Sequence, residues 1–358
     1  MVYSMAGSIY GRLFQISTWG ESHGKGIGVV IDGCPAGLSL SEEDIQVYLD
    51  RRKPGQSQFT TGRKESDMAQ IWSGVFEGRT TGTPISILVQ NQDQRSRDYG
   101  NIINTYRPGH ADYTFDEKYG FRDYRGGGRS SGRETTARVA AGAVAAKILK
   151  ELGIEVHAYT KAIGPVSVPE NEYHPEEIFQ NPIYMPSNAY AQKASAYLEE
   201  CIKNQDSSGG IIECVVTGMP VGIGDTVFEK LDANLAKAML SIGAVKGFEI
   251  GDGFKAADTK GSINNDSFIS ENGQVLKQTN HSGGILGGIS DGSSIILRAA
   301  IKPTPSISQP QKTVNTAGEN IEIAISGRHD PVIVPRAVVV VESMAAITLT
   351  DLLMQNMT

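Results

Sequence analysis

The stretch of this 358-residue sequence with the most side chains suited to chemistry is 107–144, which combines six arginines with one lysine. The planar guanidinium group binds carboxylates and phosphates through paired hydrogen bonds, which the point charge of lysine cannot do. Three consecutive glycines at 126–128 let the backbone approach a bulky ligand, and a helix N-terminus attracts anions. The stretch therefore predicts a site for an oxyanion, with solvated surface arginines as the alternative.

Two histidines lie in predicted loops. His110 belongs to Arg-Pro-Gly-His-Ala-Asp, which is too stiff and turn-like for a helix, and functional side chains concentrate in loops. His23 follows Ser22 in Gly-Glu-Ser-His-Gly-Lys-Gly. Imidazole gains and loses a proton near neutral pH, so each histidine could act as an acid or a base. The alternative for Ser22 and His23 is that they only close a turn.

Two segments near the C-terminus add further candidates. Lys302 opens Lys-Pro-Thr-Pro-Ser, a cation at a stiff turn. Arg328, His329 and Asp330 stand together in Gly-Arg-His-Asp-Pro, directly before an apolar run. An Arg-x-Asp motif ahead of a buried element is unusual, and a structural ion pair is its alternative explanation.

Composition excludes several classes of function. A formal net charge of −7 argues against a general nucleic-acid-binding protein. Three cysteines without a CxxC pair indicate a reducing compartment, by default the cytoplasm, and neither a disulfide framework nor a zinc site. No apolar run approaches the roughly 20 residues that span a bilayer, so no membrane association is expected. Residues 251–256 resemble a dinucleotide fingerprint, but no helical pattern follows them.

The strands that would position these loops follow from the hydrophobic pattern. Residues 10–17 alternate enough to predict a strand, and the apolar run 27–31 predicts another. The glycine-flanked segment 20–26 therefore forms the loop between two strands and presents His23. Short strand-like runs at 70–73 and 85–90 are separated by a hairpin-like loop.

Two helices complete the picture of the first half. Ser41, followed by three acidic residues, predicts the N-cap of a helix over 42–52. Arg51 and Arg52 end that helix, where cations are normal partners of the helix dipole. Alanines and valines on most faces predict a long helix over 130–152 that is buried on several sides.

Weak internal similarity indicates a duplication. In three pairs of segments, glycines, prolines and apolar residues recur in the same order along the chain. The pairs are 30–38 with 215–223, 78–88 with 288–298, and the apolar runs that follow Arg133 and Arg336. We expect a single domain over 1–358 whose halves, about 1–156 and 205–358, are joined by a connecting segment at about 159–204. Ligand sites tend to form between such halves.

Three segments, 20–35, 127–144 and 328–344, resemble the three signatures of the chorismate synthase family. The resemblance extends over nearly the whole chain, because RPGHADY, DRRKPG, VKGFEIGDGF, NHSGGILGGISDG and KPTPSI are also similar to family sequence. It implies an α+β fold, a β-α-β sandwich with a helical layer between two antiparallel sheets, usually as a homotetramer. It also implies conversion of 5-enolpyruvylshikimate 3-phosphate to chorismate and phosphate with reduced FMN.

The resemblance assigns roles to five side chains. His23, with Ser22 beside it, would protonate the leaving phosphate. His110 would protonate or stabilise the reduced flavin, with Ser131 as a relay. Asp330 would act with flavin N5 in taking the ring proton. Because proton transfer is needed at both ends of the reaction, positioned acids and bases would accelerate it.

The resemblance also implies two binding sets. The substrate set is Arg52, Arg107, Arg133 and Arg328. The flavin set is Arg129, Ser130, Ser131, Gly243, Ala244, Gly287, Lys302, Pro303, Thr304, Pro305, Ser306 and Arg328. This chain has Gly243 where many relatives have asparagine and Gln58 where some have a second arginine, so one flavin contact and one anion contact are in doubt.

Some questions stay open at this stage. NADPH could act as an indirect reductant of the flavin, and the sequence does not decide it. The alternatives from other classes are an RNA-binding protein, suggested by the single Arg-Gly-Gly element at 125–127, and a flavin- or phosphate-binding protein without catalysis. Retention of His23, His110 and Asp330 together favours the enzyme.

Overall fold

The computed structural model describes residues 7–60, 65–92, 103–325 and 330–357. The N-terminal part forms an antiparallel sheet in the order β1-β2-β3-β7-β4, with a small hairpin of β5 and β6 beside it. The strands are β1 (Ile9–Tyr10), β2 (Gln15–Gly20), β3 (Gly26–Asp32), β4 (Ala69–Ile71), β5 (Val75–Phe76), β6 (Arg79–Thr80) and β7 (Ile85–Gln90).

The C-terminal part forms a second antiparallel sheet in the order β11-β16-β10-β8-β9. Its strands are β8 (Glu155–Ile163), β9 (Val166–Ser167), β10 (Gly210–Thr217), β11 (Val245–Ile250) and β16 (Ile295–Ile301). Three hairpins accompany it: β12 (Phe268–Glu271) with β13 (Gln274–Lys277), β14 (Ile285–Leu286) with β15 (Ile289–Ser290), and β17 (Gln311–Val314) with β18 (Asn320–Ile323).

Seven helices occur in the described part of the chain. They are α1 (Glu42–Arg52), α2 (Asp112–Tyr119), α3 (Thr135–Glu151), α4 (Asn188–Lys203), α5 (Leu231–Leu240), α6 (Gly261–Asn264) and α7 (Val334–Met357). Helix α3 contacts β2, β3 and β7, α7 contacts β8 and β10, and the two helices contact each other. Helix α1 packs on both α3 and α7, and α5 packs on α7 and β11. The chain therefore combines helices and antiparallel sheets, as an α+β fold predicts.

The core follows from alternation in the strands and from close approach of the helices. In β7, Ile85, Ile87 and Val89 are buried while the residues between them are partly exposed, which is the period of a sheet with one covered face. At Gly142 of α3, an added Cβ would lie 2.2 Å from the Cβ of Ser343 in α7. A residue without a side chain at this point lets the two central helices touch.

Several predicted elements are confirmed. Helix α1 has the predicted bounds, and the Ser41 backbone N–H donates to Asp44 Oδ2 at 2.9 Å in a capping box. The strand 85–90 also has its predicted bounds. Residues Gly253–Asp258 form only a short 3-10 helix, in agreement with the rejection of a dinucleotide fingerprint.

Other predicted elements required correction. The predicted helix over 130–152 begins only at Thr135, because glycines with positive φ and two 3-10 turns, Gly128–Ser130 and Gly132–Glu134, precede it. The connecting segment was predicted to begin at about residue 159. That residue lies inside β8, which pairs with β10, so the start of the segment was wrong.

The expectation about apolar runs was wrong for α7. This helix is long and apolar enough to cross a bilayer, yet 94% of its apolar window is buried inside the protein. Charged residues hid the run in the sequence, and each of them has a partner: Arg336 pairs with Asp330, Glu342 with Arg51, and Asp351 accepts backbone N–H groups of 12–14. Helix α7 is a core helix.

Candidate active site

The loop between β2 and β3 brings Ser22 and His23 against the glycine loop. The Ser22 hydroxyl donates to the Gly126 carbonyl at 3.0 Å and lies 3.2 Å from His23 Nδ1. His23 is only 9% exposed, and a Cβ on Gly126 would lie 2.2 Å from its Cε1. The imidazole therefore packs directly on a backbone that has no room for a side chain. Hydrogen bonds from Arg125, together with the nearby His23, hold the pKa of Asp123 below its ordinary value.

The rest of the glycine loop is fixed to the first sheet. Arg129 Nη2 donates to Thr18 Oγ1 at 2.7 Å, and Arg129 Nη1 donates to the Gly20 carbonyl at 3.3 Å. The Ser130 hydroxyl donates to the Gly127 carbonyl at 2.7 Å. The Ser131 hydroxyl accepts the backbone N–H of Arg133 and caps the turn before α3. These contacts hold Arg129, Ser130 and Ser131 beside the His23 loop.

Two predicted substrate arginines meet at one buried carboxylate. Asp67 accepts from Arg133 Nη1 at 2.6 Å and from Arg52 Nη2 at 3.1 Å. Arg133 Nε also donates to Asn91 Oδ1 at 2.7 Å. Within the described ranges, Arg52 Nε and Arg133 Nη2 are buried without a hydrogen-bond partner. Glu65 lies 3.6 Å from the latter nitrogen. The cluster therefore contains two buried guanidinium nitrogens that make no hydrogen bond within the described residues.

The structure corrects the interpretation of Arg51 and Arg52 as ordinary partners of the helix dipole. Arg51 forms a two-pronged ion pair with Glu342 of α7 at 2.7 and 2.9 Å. Arg52 is only 1% exposed, and its burial lowers its pKa to about 9. Arg51 and Arg52 are adjacent in α1, but their side chains have different surroundings. Arg51 pairs with a residue of α7, whereas Arg52 faces the buried Asp67.

Sequence reasoning missed Asp67, Glu65 and Asn91. The only local signal was the charged run Arg-Lys-Glu-Ser-Asp at 63–67, which is also typical of a solvated loop. Burial of Asp67, fully enclosed in the structure, distinguishes the two readings. Buried carboxylates require partners, and here the partners are the two arginines.

The His110 loop packs on the segment 302–306. His110 Nδ1 lies 3.0 Å from the Pro108 carbonyl and Nε2 lies 2.9 Å from Ser306 Oγ. The Lys302 ammonium donates to the Gly109 carbonyl at 2.6 Å. A carbonyl can only accept, so Nδ1 carries the proton and Nε2 accepts from the serine hydroxyl. Burial and the charge of Arg107 lower the pKa of His110 to about 4.

Arg107 belongs to the His110 loop, and the contacts do not join it to Arg52 and Arg133. Its Nε and Nη2 donate to the two carboxylate oxygens of Asp112, both at 2.7 Å. The pair is almost fully buried. Arg107 is thus paired within its own loop.

Asp330 lies between the arginine cluster and the 302–306 segment. Arg336 Nη1 donates to Asp330 Oδ2 at 2.7 Å, while Arg336 Nε donates to the Arg52 carbonyl at 3.1 Å. The next carbonyl, that of Pro331, accepts from the Ser208 backbone at 2.8 Å. The adjacent Ser207 hydroxyl donates to the Thr304 carbonyl at 2.7 Å. Arg328, predicted for both binding sets, lies outside the described residues.

The remaining flavin candidates only partly come together. Ala244 has a left-handed backbone with φ of 73°, and its carbonyl accepts the Lys302 N–H at 2.9 Å. Gly243 therefore lies beside the 302–306 segment. Gly287 does not lie beside this segment. The carbonyl of the neighbouring Gly288 accepts the N–H of Leu231 at the start of α5, whereas Gly243 follows the end of that helix. Ten helical residues separate these ends by about 15 Å.

The residues near Ala244 fit a flat, phosphate-bearing cofactor such as FMN. Space is available because a Cβ at Gly243 would meet no atom within 4 Å. Thr304 Oγ1 is buried without a hydrogen-bond partner in the described part of the chain. Lys302 supplies a cation at the same segment, and its pKa is lowered by burial. The donor set thus matches an anionic ligand with polar ring edges.

The apolar cavity of about 730 Å³ lies elsewhere. It is formed by the C-terminal ends of α3 and α7 together with the loop after β3. Ile148, Leu152 and Met354 are among its lining residues, and none of the predicted site residues lines it. The chemistry of the protein is therefore concentrated in the polar loops rather than in this cavity.

Comparisons with known proteins identify the family of this chain. The family model for chorismate synthase matches residues 14–354. The chorismate synthase of Agathobacter rectalis is 67% identical over 353 residues, 99% of this chain and 96% of the relative. That of Lachnoclostridium phytofermentans is 66% identical over 354 residues, with the same coverage. A chorismate synthase crystal structure has a TM-score of 0.78 at 34% identity, covering 97% of this chain and 93% of the other. The chain belongs to the chorismate synthase family.

Proposed function

We propose that this chain is a lyase of aromatic amino-acid biosynthesis that eliminates phosphate and a ring proton from 5-enolpyruvylshikimate 3-phosphate to give chorismate. The observation that carries the proposal is the meeting of the Ser22–His23 loop with the glycine loop, 104 residues apart in the sequence. Buried arginines, a carboxylate and a second histidine lie on the elements around this meeting point. These are the groups that an anionic substrate and two proton transfers require.

We propose that Arg52 and Arg133 bind the anionic groups of the substrate. The substrate carries two carboxylates and a phosphate, whereas the protein as a whole is acidic with a net charge of −7. Attraction must therefore be local, and it is supplied by Arg52 Nε and Arg133 Nη2, which make no hydrogen bond within the described residues. Charge-assisted hydrogen bonds in a buried site are about twice as strong as neutral ones. The pairing of Arg107 with Asp112 gives that arginine a secondary place in the proposal.

We propose that His23 gives a proton to the leaving phosphate, with the adjacent Ser22 hydroxyl orienting its ring. Contact with the Gly126 backbone leaves the imidazole ring of His23 little freedom to turn away. Asp330, held by Arg336, would accept the ring proton at the other end of the reaction. A histidine fixed by packing and a carboxylate fixed by an arginine are suited to transfer protons without reorganisation.

Reduced FMN, when bound, would supply an electron that assists departure of the phosphate, and the electron would afterwards return to the flavin. We propose that Arg129, Ser130, Ser131, Gly243, Ala244 and the segment Lys302 to Ser306 would hold it, with Gly287 and Arg328 as further predicted contacts. The neutral His110 offers Nε2 as an acceptor beside this segment. An anion next to His110 would raise its pKa, so we expect that its role as a donor depends on the bound ligand.

We propose that the two halves are related by a pseudo-twofold repeat within one domain. With β1, α2, β9, α4, α6 and the β12–β13 and β17–β18 hairpins left aside, both run strand, strand, helix, strand, hairpin, strand, helix: β2, β3, α1, β4, β5–β6, β7, α3 in the first and β8, β10, α5, β11, β14–β15, β16, α7 in the second. The second half then includes β8, which precedes its predicted start at about residue 205. The strands of each half also follow the same spatial order. Central α3 and α7 would then be equivalent helices of a layer between two antiparallel sheets. Superposition of the halves in an experimental structure tests this.

We further propose a homotetramer in the cytoplasm. The long apolar helix α7 is occupied within the protein core, and the three cysteines are free and buried, which suits a reducing compartment. Sedimentation equilibrium would measure the mass of the assembly. We also propose NADPH as an indirect reductant, which would supply the reduced flavin.

The function is tested by measuring chorismate formation in two arms. In the first, substrate and chemically reduced FMN are mixed under nitrogen without nicotinamide, and we expect many turnovers per flavin. In the second, oxidised FMN and NADPH are supplied in air, which tests whether this chain reduces its own flavin. Absence of chorismate in both arms contradicts the proposed function. Equal rates with oxidised FMN alone contradict the need for a reduced flavin.

The RNA-binding alternative loses support from the arginine contacts. Arg125 of the Arg-Gly-Gly element is paired with Asp123 at 2.7 and 2.8 Å, and Arg122 is paired with Asp116 at 3.1 Å. Arginines neutralised by neighbouring carboxylates contribute little to a backbone-binding surface. A non-catalytic flavin- or phosphate-binding protein is separated from the enzyme by the same turnover assay.

A further inference from the structure

Asp67 lies between two cations, Arg52 and Arg133. We call these three residues, with Glu65, the arginine cluster, and no other described residue of the cluster has this position. It is completely buried, and each of its carboxylate oxygens faces a different arginine: Oδ1 lies 2.6 Å from Arg133 Nη1 and Oδ2 lies 3.1 Å from Arg52 Nη2. The two arginines come from different elements, the end of α1 and the turn before α3. One carboxylate therefore fixes the separation of two guanidinium groups that would otherwise repel each other.

The backbone holds Asp67 in this position against its own preference. Its φ of 47° is in the left-handed region, which residues with a side chain rarely adopt. Gln46 of α1 secures the segment on both sides, because its amide nitrogen donates to the Asp67 carbonyl at 3.3 Å and its amide oxygen accepts the Ala69 N–H at 3.0 Å. Uncommon conformations of this kind persist only where the surroundings determine them, and they concentrate at functional sites.

The charges around the cluster show why a carboxylate is needed there. Arg52 is flanked by Arg133 and Arg336, which both disfavour its charged form, while Asp67 favours it. Glu65 lies 3.6 Å from Arg133 Nη2 and accepts the Gln92 N–H at 2.9 Å, so it serves Arg133 rather than Arg52. Loss of Asp67 would leave Arg52 buried beside two cations without its carboxylate partner.

We propose that Asp67 is a positioning residue of the substrate site, which orients Arg52 and Arg133 so that Arg52 Nε and Arg133 Nη2 bind the substrate's anionic groups. The inference rests on the proposed substrate-binding role of these arginines. The Asp67 carboxylate is then a buried anion within a site whose proposed ligand is itself anionic. The carboxylate is tolerated there because it occupies the sides of the two guanidinium groups that face each other.

The primary test is Asp67→Asn, which keeps the shape and removes the charge. We expect the KM for 5-enolpyruvylshikimate 3-phosphate to rise about 10- to 100-fold, the range for losing a hydrogen bond to a charged group, with a smaller change in kcat. Removal of an anion lowers the pKa of a neighbouring cation. Burial lowers the pKa of Arg52, so any rise of KM at alkaline pH should begin at lower pH in the variant than in the parent.

Asp67→Glu separates charge from geometry, and it also serves if the asparagine variant does not fold. A longer carboxylate keeps the charge but changes the spacing, so we expect the parental pH profile with a raised KM. Asp32→Asn is the matched control, because Asp32 is exposed at the end of β3 opposite the His23 loop, where it accepts the Gly33 N–H. We expect its KM and pH profile to match those of the parent.

Arg133→Lys distinguishes failure of this inference from failure of the substrate site. If Arg133→Lys raises KM while Asp67→Asn leaves KM and its pH profile unchanged, the positioning role is wrong and the substrate site stands. If neither variant changes KM, the substrate role of the arginines is wrong, and the role of Asp67 with it. A lowered melting temperature and kcat without any shift of the pH profile would identify Asp67 as merely structural.

Discussion

The two histidine loops are held in different ways. His23 is confined by packing, because its ring lies on the Gly126 backbone where a Cβ would approach within 2.2 Å. His110 is confined by hydrogen bonds, because Nδ1 faces the Pro108 carbonyl and Nε2 faces the Ser306 hydroxyl. Packing fixes the position of a ring, whereas hydrogen bonds also fix which nitrogen carries the proton. The comparison predicts steric sensitivity in the first loop and pH sensitivity in the second.

The largest expected effect is that of removing the hydrogen-bonded ring. We expect His110→Ala to slow turnover by roughly 10²- to 10⁴-fold, the range for a positioned acid or base, while the fold and flavin binding are kept. The measurement is kcat under anaerobic conditions with reduced FMN, together with a flavin titration. His157→Ala is the control, since His157 is exposed and its ring lies beside Glu155 of the same strand. Unchanged turnover in His110→Ala would remove this residue from the mechanism.

The steric character of the first loop is tested by Gly126→Ala. The added Cβ would collide with His23 Cε1 and Nδ1, so we expect kcat to fall by about 10²-fold, near the lower limit for loss of a positioned acid. Gly128→Ala is the matched control, because Gly128 also has positive φ but an added Cβ would meet nothing within 4 Å.

Both glycine variants should lose some stability from the left-handed backbone, and only Gly126→Ala should lose activity beyond that. Melting temperatures and kcat of the two variants provide the measurement. Equal kcat values in the two variants would contradict confinement of His23 by packing.

A smaller effect is expected when the His110 loop keeps its ring but loses the hydroxyl donor. Ser306→Ala removes the hydrogen bond to Nε2, so we expect kcat to fall by about 3- to 10-fold, as for one net hydrogen bond. Ser308→Ala is the control two residues further along the chain, since its hydroxyl donates to the Ile325 carbonyl at 3.3 Å. A fall as large as that of His110→Ala would mean that the serine has a more direct role.

The smallest effect concerns the titration of His110 in the protein without ligand. Because burial and Arg107 lower its pKa from 6.5 to about 4, we expect its NMR titration midpoint well below 6.5. The unfolded chain binds the proton at higher pH than the folded protein does. Stability that is present above pH 6.5 should therefore be lost as pH falls toward 4.

His110→Gln should reduce this loss of stability on acidification, as measured by denaturant unfolding at several pH values. Addition of an anionic flavin should raise the His110 midpoint. A midpoint near 6.5 in the ligand-free protein would show that burial and the charge of Arg107 do not keep the ring neutral.

Much of the local structure followed from the sequence. The bounds of α1 and β7 were predicted because a capping serine, acidic first turn and regular alternation act over a few residues. The start of α3 was missed because the turns before it depend on glycines with positive φ, which a propensity pattern does not specify. Helix α7 was missed as a continuous apolar element because its charged residues are paired only through distant parts of the chain.

The sequence by itself determined the kinds of side chain at the site: loop histidines, arginines beside glycines, and a carboxylate ahead of an apolar helix. It also carried the family resemblance. Only the tertiary structure decided that Arg51 pairs with Glu342 while Arg52 faces Asp67, and that Ser22 reaches Gly126. These differences arise from burial and from contacts across more than a hundred residues. Local pattern does not encode them, because the cost of burying a charge depends on which partners the fold brings to it.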